Sequence, residues 1–540
     1  CNCIDAALKE IGSASEYIDG LPTKDELLEA SLSFTCGWDP VLSIRRNPMQ
    51  SMESFEEQLF AIKVCKEAID DYCNVNEHVH FTKNIGIRGF PGGGKTWCMM
   101  YSMLYAISRG LTVCTTAMMC KRALHLGGIH VDQIFKLPYG GENLDAHRRA
   151  ELAIMKLLSN PTKLDFLRSV DVLFFDEMGQ VSALLMSILD MILRKVRHTN
   201  IFMGGVLLVF SMDHTQIQPI GGRPFLTSSN IVSCYKMVAL EHSVRAHHDL
   251  IFQKIQKISR YPHSKFVECP ELVDEFVRLC SAHFTFVETW DNEKVTPTTM
   301  RLYSKKIPAR EASRQFVNGV MRDITASDRI TRLSEDIEKS RYSNAEWGRA
   351  SERVVTALEQ KVKEPKELLF FRGAVYEITF NVEGKFSNTQ LAILYDLPSR
   401  NDLAEWKSIK VLAAPAGCKS IEYSMNTPKH VYLNADYKEV SIGVCPNRNQ
   451  TISFEVQARR KQYGLKHHVT STIHAAMGDT LQSMATEISS LNKKYEMWDK
   501  GQMVVILSRT NYARETIFVG NKAETLKALR ELLTRKTQWT

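Results

Sequence analysis

Apolar residues recur at roughly helical spacing through Phe55, Leu59, Ile62, Val64, Cys65 and Ile69, which predicts an amphipathic helix over Phe55 to Asp71. A short strand-like run, Ile85-Gly86-Ile87-Arg88, comes next. It leads into a glycine cluster and then a helical pattern from about Thr96 to Gly110, whose closing glycine suits a helix C-cap. Two further apolar runs end in polar residues: Val170 to Phe175 runs into Asp176-Glu177, and Val206 to Phe210 runs into Ser211-Met212-Asp213. Apolar strands alternating with helices predict a parallel α/β sheet with ligands at the carboxyl ends of its strands. Beyond residue 240 the pattern gives a helix over about 344 to 362, a strand-like stretch from Phe371 to Thr379, and short apolar alternations among Gly, Pro, Asn and Thr from about 380 to 460. The simplest organisation is an unassigned lead-in over 1–50, an α/β domain over 51–240, and a second α/β domain over 241–379 and 462–540, interrupted by a small β domain at 380–461.

Composition narrows the class without naming a partner. With 44% hydrophobic and 24% charged residues, the 540-residue chain has the make-up of a globular protein of several domains. A net charge of +7, from 68 basic and 61 acidic residues, permits a polyanionic partner but is too dilute to demand one. The 13 cysteines form no CxxC or Cys/His array, so neither a structural zinc nor a disulfide ladder is expected. No apolar run reaches the roughly 18 residues of a membrane span and no signal-peptide core is visible, so the expectation is an intracellular soluble protein, nuclear if eukaryotic. The chain starts with Cys1, as a fragment of a longer polypeptide would.

The chemistry is concentrated in Gly89-Phe90-Pro91-Gly92-Gly93-Gly94-Lys95-Thr96, a GxxxxGK[ST] loop between a strand and a helix. Gly89, Gly92, Gly93 and Gly94 free consecutive backbone N–H groups to wrap phosphates, Lys95 reaches the β- and γ-phosphates of ATP, and the Thr96 hydroxyl ligates Mg2+. Val172 to Glu177 supplies the partner motif: Asp176 as a magnesium ligand and Glu177 to orient and deprotonate the attacking water. Gln216, after the third strand, is placed to contact the γ-phosphate or that water. The methionines and cysteine of the following helix (Cys98, Met99, Met100, Met103) read as core.

Met212-Asp213-His214-Thr215-Gln216-Ile217-Gln218-Pro219 resembles the GDxxQLPP-like element of superfamily 1 helicases of the Pif and RecD-like type, with Met212 and Gln218 in place of Gly and the first Pro. Further segments are similar to that family in its own order. Phe55-Glu56-Glu57-Gln58 looks like the Q motif, in which Gln58 would read the adenine edge. Thr115-Thr116-Ala117 with Gly127-Gly128-Ile129-His130 and Phe135 looks like a segment gripping the backbone of single-stranded DNA. Leu240 to Ala246 resembles the element carrying one arginine finger, Arg245, and Gly501 to Arg509 resembles GQxYVALSR, which assigns a second finger to Arg509. Both arginines are expected from the second domain. Val469 to Leu481 is similar to TIHKSQGxTL, placing Thr472 and His474 at DNA, but Ala475, Ala476 and Met477 replace the family's Lys, Ser and Gln. Leu369 to Asn388 looks like the entry to an SH3-like insert, and about 139 to 165 is where such helicases carry a strand-separating wedge.

The resemblance implies two RecA-like P-loop domains with an SH3-like β insert in the second. It implies an ATP- and Mg2+-dependent DNA helicase moving 5′ to 3′ on single-stranded DNA and opening duplex junctions, as a monomer, in DNA repair, recombination or the replication of an element. Two other readings stay open: a P-loop nucleotide switch that does not translocate, and a helicase-derived module of a mobile-element or viral polyprotein without unwinding activity.

Overall fold

The computed structural model describes residues 2–12, 18–33, 38–44, 52–74, 84–138, 144–219, 221–296, 299–340, 346–382, 385–415, 418, 421, 428–446, 449–453, 455–489 and 491–536. The chain divides into two units: Cys1–His283, Asp499–Ala513 and Arg530–Thr540 form the first, and Phe284–Trp498 and Arg514–Leu529 the second.

The first unit is built on a sheet of β1 (Asn84–Gly89), β2 (Val113–Ala117), β3 (Val172–Asp176), β4 (Leu207–Met212) and β5 (Tyr235–Leu240), in the order β2-β3-β4-β1-β5. Every neighbouring pair is parallel. Strands β3 and β4 are apolar throughout because helices cover both faces of the sheet, so successive side chains enter two different cores. Val172, Phe174, Leu207 and Val209 join one core, while Leu173, Phe175, Leu208 and Phe210 join the other.

The first of these cores includes residues expected to be a lead-in. Helices α1 (Asn2–Gly12), α2 (Lys24–Ser33) and α3 (Met52–Asn74) pack around α4 (Lys95–Ser108), the helix after the glycine loop. Ile4, Ala7, Ile11, Leu27 and Trp38 are buried with Cys98, Met99, Met100 and Met103, and the Trp38 ring stacks 5.9 Å from Tyr101. The unassigned 1–50 segment is therefore corrected in its described part: it is the outer wall of this unit. Its helices are short and carry no chemical motif, which hides that role.

The second unit has its own parallel sheet, in the order Thr470–Thr472, Met300–Tyr303, Met484–Glu487, Thr516–Val519, Thr285–Val287. The described strands between Arg329 and His467 pair antiparallel, with short helices among them. The predicted boundary at 380 is thus too late. Glu335–Ser340 is a strand with no apolar alternation, fixed to Val456–Lys461 by a two-pronged pair in which Arg460 Nε donates to Asp336 Oδ1 at 2.8 Å and Nη2 to Oδ2 at 2.6 Å. Hydrophobic patterning does not reveal a strand held in that way. The helix expected over 344–362 spans Glu352–Lys361. The boundary at 240 is too early, because 241–283 and 499–513 belong to the first unit.

A buried charge in this β region gives a stability prediction. Glu377 on Val375–Ile378 lies opposite Lys466, whose Nζ is 3.0 Å away, with His468 Nδ1 at 3.8 Å. Burial opposes the Glu377 charge, but Lys466 and His468 outweigh it and draw the pKa down to about 2. The pairing therefore stabilises the fold above the unfolded-state value near ~4.3 and is lost as pH falls toward the folded value. Lys466→Met is expected to cost about 1–3 kcal/mol in urea unfolding at pH 7, and to flatten the stability loss otherwise seen between neutral pH and pH 2.

Candidate functional site

At the carboxyl end of β1 the glycine loop turns back toward α4. Gly92 (φ 75°) and Gly94 (φ 86°) adopt backbone that favours glycine. Gly92 is required twice over, because a Cβ there would lie 2.4 Å from the Cβ of Arg245. Lys95 donates to the carbonyls of Gly89 at 3.0 Å and Phe90 at 2.9 Å. Burial pushes its ammonium below the usual value, against the pull of Asp213, Glu177 and Asp176. Gln58 donates from Nε2 to Gly93 O at 2.7 Å, while its Oε1 is buried without a hydrogen-bond partner. Its amide donor thus holds the loop backbone, which leaves Oε1 as the open acceptor. The Phe55 side chain lies outside the described residues.

β3 delivers Asp176 beside the loop, with Thr96 Oγ1 3.4 Å from both carboxylate oxygens. Ser211 at the end of β4 donates to Asp176 Oδ1, and the Glu177 N–H donates to Asp176 Oδ1 at 3.1 Å and Ser211 Oγ at 3.2 Å. Glu177 takes a left-handed conformation at φ 54°, a strained setting for a non-glycine residue that is held here by those two bonds. Burial raises its pKa, and the charge of Asp176 raises it further. Sequence reasoning missed Arg122, on α5 (Cys120–His125). Its Nη2 donates to Thr96 Oγ1 at 2.8 Å and to Asp176 Oδ2 at 2.6 Å, and Nε to the same oxygen at 3.1 Å. The Thr96 hydroxyl and the Asp176 carboxylate are hard oxygen donors already converged on one cation, which is what a magnesium site needs. They fit that ion.

Asp213, at the exit of β4, accepts from Arg260 Nη1 at 2.5 Å and from Gln216 Nε2 at 2.9 Å. Burial works against its charge, but Arg260 and Lys95 outweigh it and hold the carboxyl well below its usual range. Gln216 keeps a buried Oε1 without a hydrogen-bond partner among the described residues, an acceptor suited to a water or a polarised donor. The helix Lys500–Ile506 presses on this loop, since a Cβ on Gly501 would lie 2.6 Å from the Gln216 backbone. Arg260 also lies over the Phe90 ring at 4.2 Å.

Arg245 joins the loop through its N–H to Gly92 O at 3.1 Å, and its Nη1 donates to Ser508 O at 2.7 Å. Arg509 is buried, with Nε donating to Val505 O at 3.0 Å and Nη2 to Ser508 Oγ at 2.8 Å, and its charge acts on Glu177. Glu57 steadies the same segment by accepting from the N–H groups of Glu241 at 2.8 Å and His242 at 3.2 Å. Both arginines stand in the first unit with the glycine loop, which corrects the expectation that a second domain supplies them. The segment 499–513 returns to the first unit after more than two hundred residues of second-unit chain, a path that adjacency in sequence cannot reveal.

The residues expected at nucleic acid divide. Thr116 is 0% exposed and donates its hydroxyl to Ile129 O at 2.8 Å, and Phe135 is 1% exposed within the core on the far face of the sheet from α4. These side chains build the segment from inside. His130 is partly exposed, its Nε2 2.7 Å from Met118 O. In the second unit, Thr472 Oγ1 accepts from the Ala475 N–H at 3.3 Å, and His474 stacks 5.5 Å from Trp498, a 49%-exposed ring that sequence reasoning missed. Burial, with Lys306 adding to it, lowers the His474 pKa. Ala475 is exposed while Ala476 and Met477 are buried. Of the wedge region, 139–143 lies outside the described residues, and the rest forms the helices Ala146–Leu158 and Pro161–Ser169.

A model of the PIF1-like helicase family matches residues 62–261. Among curated proteins, the chain is 21% identical over 444 residues to the ATP-dependent DNA helicase Pif1 of Bdellovibrio bacteriovorus, covering 81% of this chain and 84% of that one. It is 28% identical over 141 residues to the protein of the same name from Psychrobacter sp., covering 26% of this chain but only 20% of that relative. Among solved structures, Pif1 helicase from Candida albicans matches with a TM-score of 0.57 at 18% identity, over 87% of this chain and 95% of that one. Bacteroides Pif1 bound to single-stranded DNA matches with a TM-score of 0.58 at 15% identity, over 87% and 92%. These likenesses place the fold among α/β proteins with RecA-like parallel sheets.

Proposed function

We propose that the chain is a Pif1-type superfamily 1 helicase, an ATP-dependent DNA motor working from the site around Lys95. The observation that carries this reading is the convergence, within one unit, of Lys95, Asp176, Glu177, Arg245 and Arg509. Few structural ion-pair clusters combine a glycine loop, a raised carboxylic acid and two arginines.

In this reading the backbone N–H groups of Gly92, Gly93 and Gly94 cradle the phosphates, and Lys95 leaves its two carbonyls to neutralise them. Thr96 and Asp176 would hold Mg2+, which supplies charge neutralisation between the β- and γ-phosphates when bound. Glu177 accepts a proton from the attacking water, and Gln216 Oε1 orients that water by accepting a hydrogen bond. Arg245 and Arg509 stabilise the charge that spreads over the transferred phosphoryl oxygens.

Single-stranded DNA is the proposed partner, as for the Bacteroides protein of the comparison. His130 in the first unit, and Thr472, His474 and Trp498 in the second, are the proposed contacts; the exposed Trp498 ring offers a base-stacking face. Movement from 5′ to 3′ and duplex opening belong to the same proposal. Among the described residues no helix is long and apolar enough to cross a membrane.

The test is ATP turnover with and without an oligothymidylate, beside Lys95→Ala. Stimulation by DNA that vanishes in the variant supports the motor. DNA-independent turnover favours the nucleotide switch instead, a reading to which Ala475, Ala476 and Met477 lend weight because none of them offers a polar side chain.

A further inference from the structure

Arg122 is the most deeply placed cation of the site that the hydrolysis chemistry leaves unused. It is 7% exposed, and its guanidinium binds Thr96 Oγ1 at 2.8 Å and Asp176 Oδ2 at 2.6 Å, the two groups that would hold the metal. A guanidinium does not deprotonate in a protein, so it cannot surrender its charge to make room. A divalent ion would be held by these same oxygens, and two cations that close together repel each other. Metal entry therefore favours withdrawal of Arg122 from at least one of these oxygens.

Withdrawal would be felt along a defined segment. Arg122 sits on the six residues of α5, directly after β2. Its neighbour Ala123 accepts the Gly128 N–H at 2.8 Å, Leu126 O accepts from Thr115 Oγ1 at 3.3 Å, and Met118 O meets His130 Nε2 at 2.7 Å. Gly128 lies so close to Thr115 that a Cβ would stand 2.1 Å from its carbonyl oxygen, so the segment is tied to the end of β2 as well as to itself. Its outer side presents Ile129, 40% exposed, and the partly exposed His130.

We propose that Arg122 is a built-in counter-cation that holds Thr96 and Asp176 together until the metal displaces it, and that its displacement repositions residues 118–130, linking metal occupancy to single-stranded DNA binding. The inference rests on the nucleotide-site reading given above. Arg122 is a positioning residue in this scheme, acting through Thr96 and Asp176. Linkage is reciprocal: whatever factor DNA imposes on metal affinity, the metal imposes on DNA affinity.

The experiment is electron paramagnetic resonance titration of Mn2+ into the full chain, with and without ADP, and with and without oligothymidylate, for the native protein, Arg122→Ala and Arg122→Lys. Loss of the competing cation is expected to tighten Mn2+ binding about tenfold or more in Arg122→Ala. Arg122→Lys, which keeps the charge but loses the fork, is expected to fall between. DNA is expected to shift native Mn2+ affinity by about fivefold or more and to leave that of Arg122→Ala nearly unchanged, the usual scale of coupling between sites. Unchanged or weaker Mn2+ binding in Arg122→Ala, with fluorescent ADP still bound, overturns the inference and leaves the nucleotide site intact. An unaltered DNA response in Arg122→Ala overturns the linkage. Failure of the native protein to bind fluorescent ADP removes the site itself, and the inference with it. Thermal melts followed by circular dichroism establish folding, and Arg122→Lys decides the question should Arg122→Ala be unfolded at the assay temperature.

Discussion

Arg245→Ala is expected to lower the turnover number for ATP by about 10³-fold or more while fluorescent ADP binds with nearly native affinity. The Arg245 N–H is bound to Gly92 O at 3.1 Å, so alanine keeps the backbone attachment, and its Cβ keeps the close packing on Gly92. What is lost is a planar cation beside the glycine loop, whose Nη1 rests on Ser508 O at 2.7 Å. Such a cation matters most when charge spreads over the transferred phosphoryl group, so its removal shows in kcat rather than in nucleotide affinity. Arg245→Lys should recover little, because a point charge does not reproduce the fork. Arg509→Ala is a less clean experiment. That side chain is fully buried and binds the Val505 carbonyl and Ser508 Oγ at the end of its helix, so activity and stability fall together. Single-turnover hydrolysis beside equilibrium ADP binding separates the effects. A loss confined to ADP affinity would show that Arg245 only holds the loop.

Glu177→Gln is expected to reduce turnover by about 10²–10⁴-fold, the range for loss of a general base. Burial, and then the neighbouring Asp176 charge, keep the Glu177 carboxyl protonated to higher pH than an ordinary one. The acid limb of the native pH profile should therefore lie above the usual value near ~4.3, and the residual turnover of the glutamine variant should lack that limb. Stability moves the other way. A carboxyl whose folded pKa is raised favours the fold below its unfolded pKa and opposes it once ionised, so a neutral isostere removes a cost at pH 7. Glu177→Gln should melt at the same temperature as the native protein or higher, whereas loss of activity through misfolding would lower it. An unchanged acid limb in the variant would assign the titration to another group.

Much of this site is readable from residues because its parts are short and contiguous. The loop from Gly89 to Thr96 carries its anion cradle, its ammonium and its hydroxyl within one turn. The apolar runs ending at Asp176 and Asp213 mark strand ends, since only buried parallel strands are apolar on both faces. Met99, Met100 and Met103 read as core and are core.

Two side chains have contacts that the sequence does not show. In Val113–Ala117, buried along most of its length, no alternation shows which side chains point inward, so Thr116 looks available when its hydroxyl is already spent on Ile129 O. Gln58 has donor and acceptor enough for an adenine, yet Gly93 O takes the donor at 2.7 Å.

The sequence by itself determined the glycine loop, the strand ends beside it and the parallel α/β character, because a phosphate-binding turn needs fixed residue types at fixed short spacing. Tertiary structure alone decided which distant groups complete the site. Arg122 reaches Asp176 only because β2 lies beside β3, Arg260 meets Asp213 across forty-seven residues, and 499–513 rejoins the first unit after the whole β insert. Each of these contacts is a single charged group meeting a buried partner, favoured by low dielectric and exact placement rather than by any repeating pattern. A pattern can be read along a chain, but a meeting of two residues far apart in it is settled by the order of the strands between them.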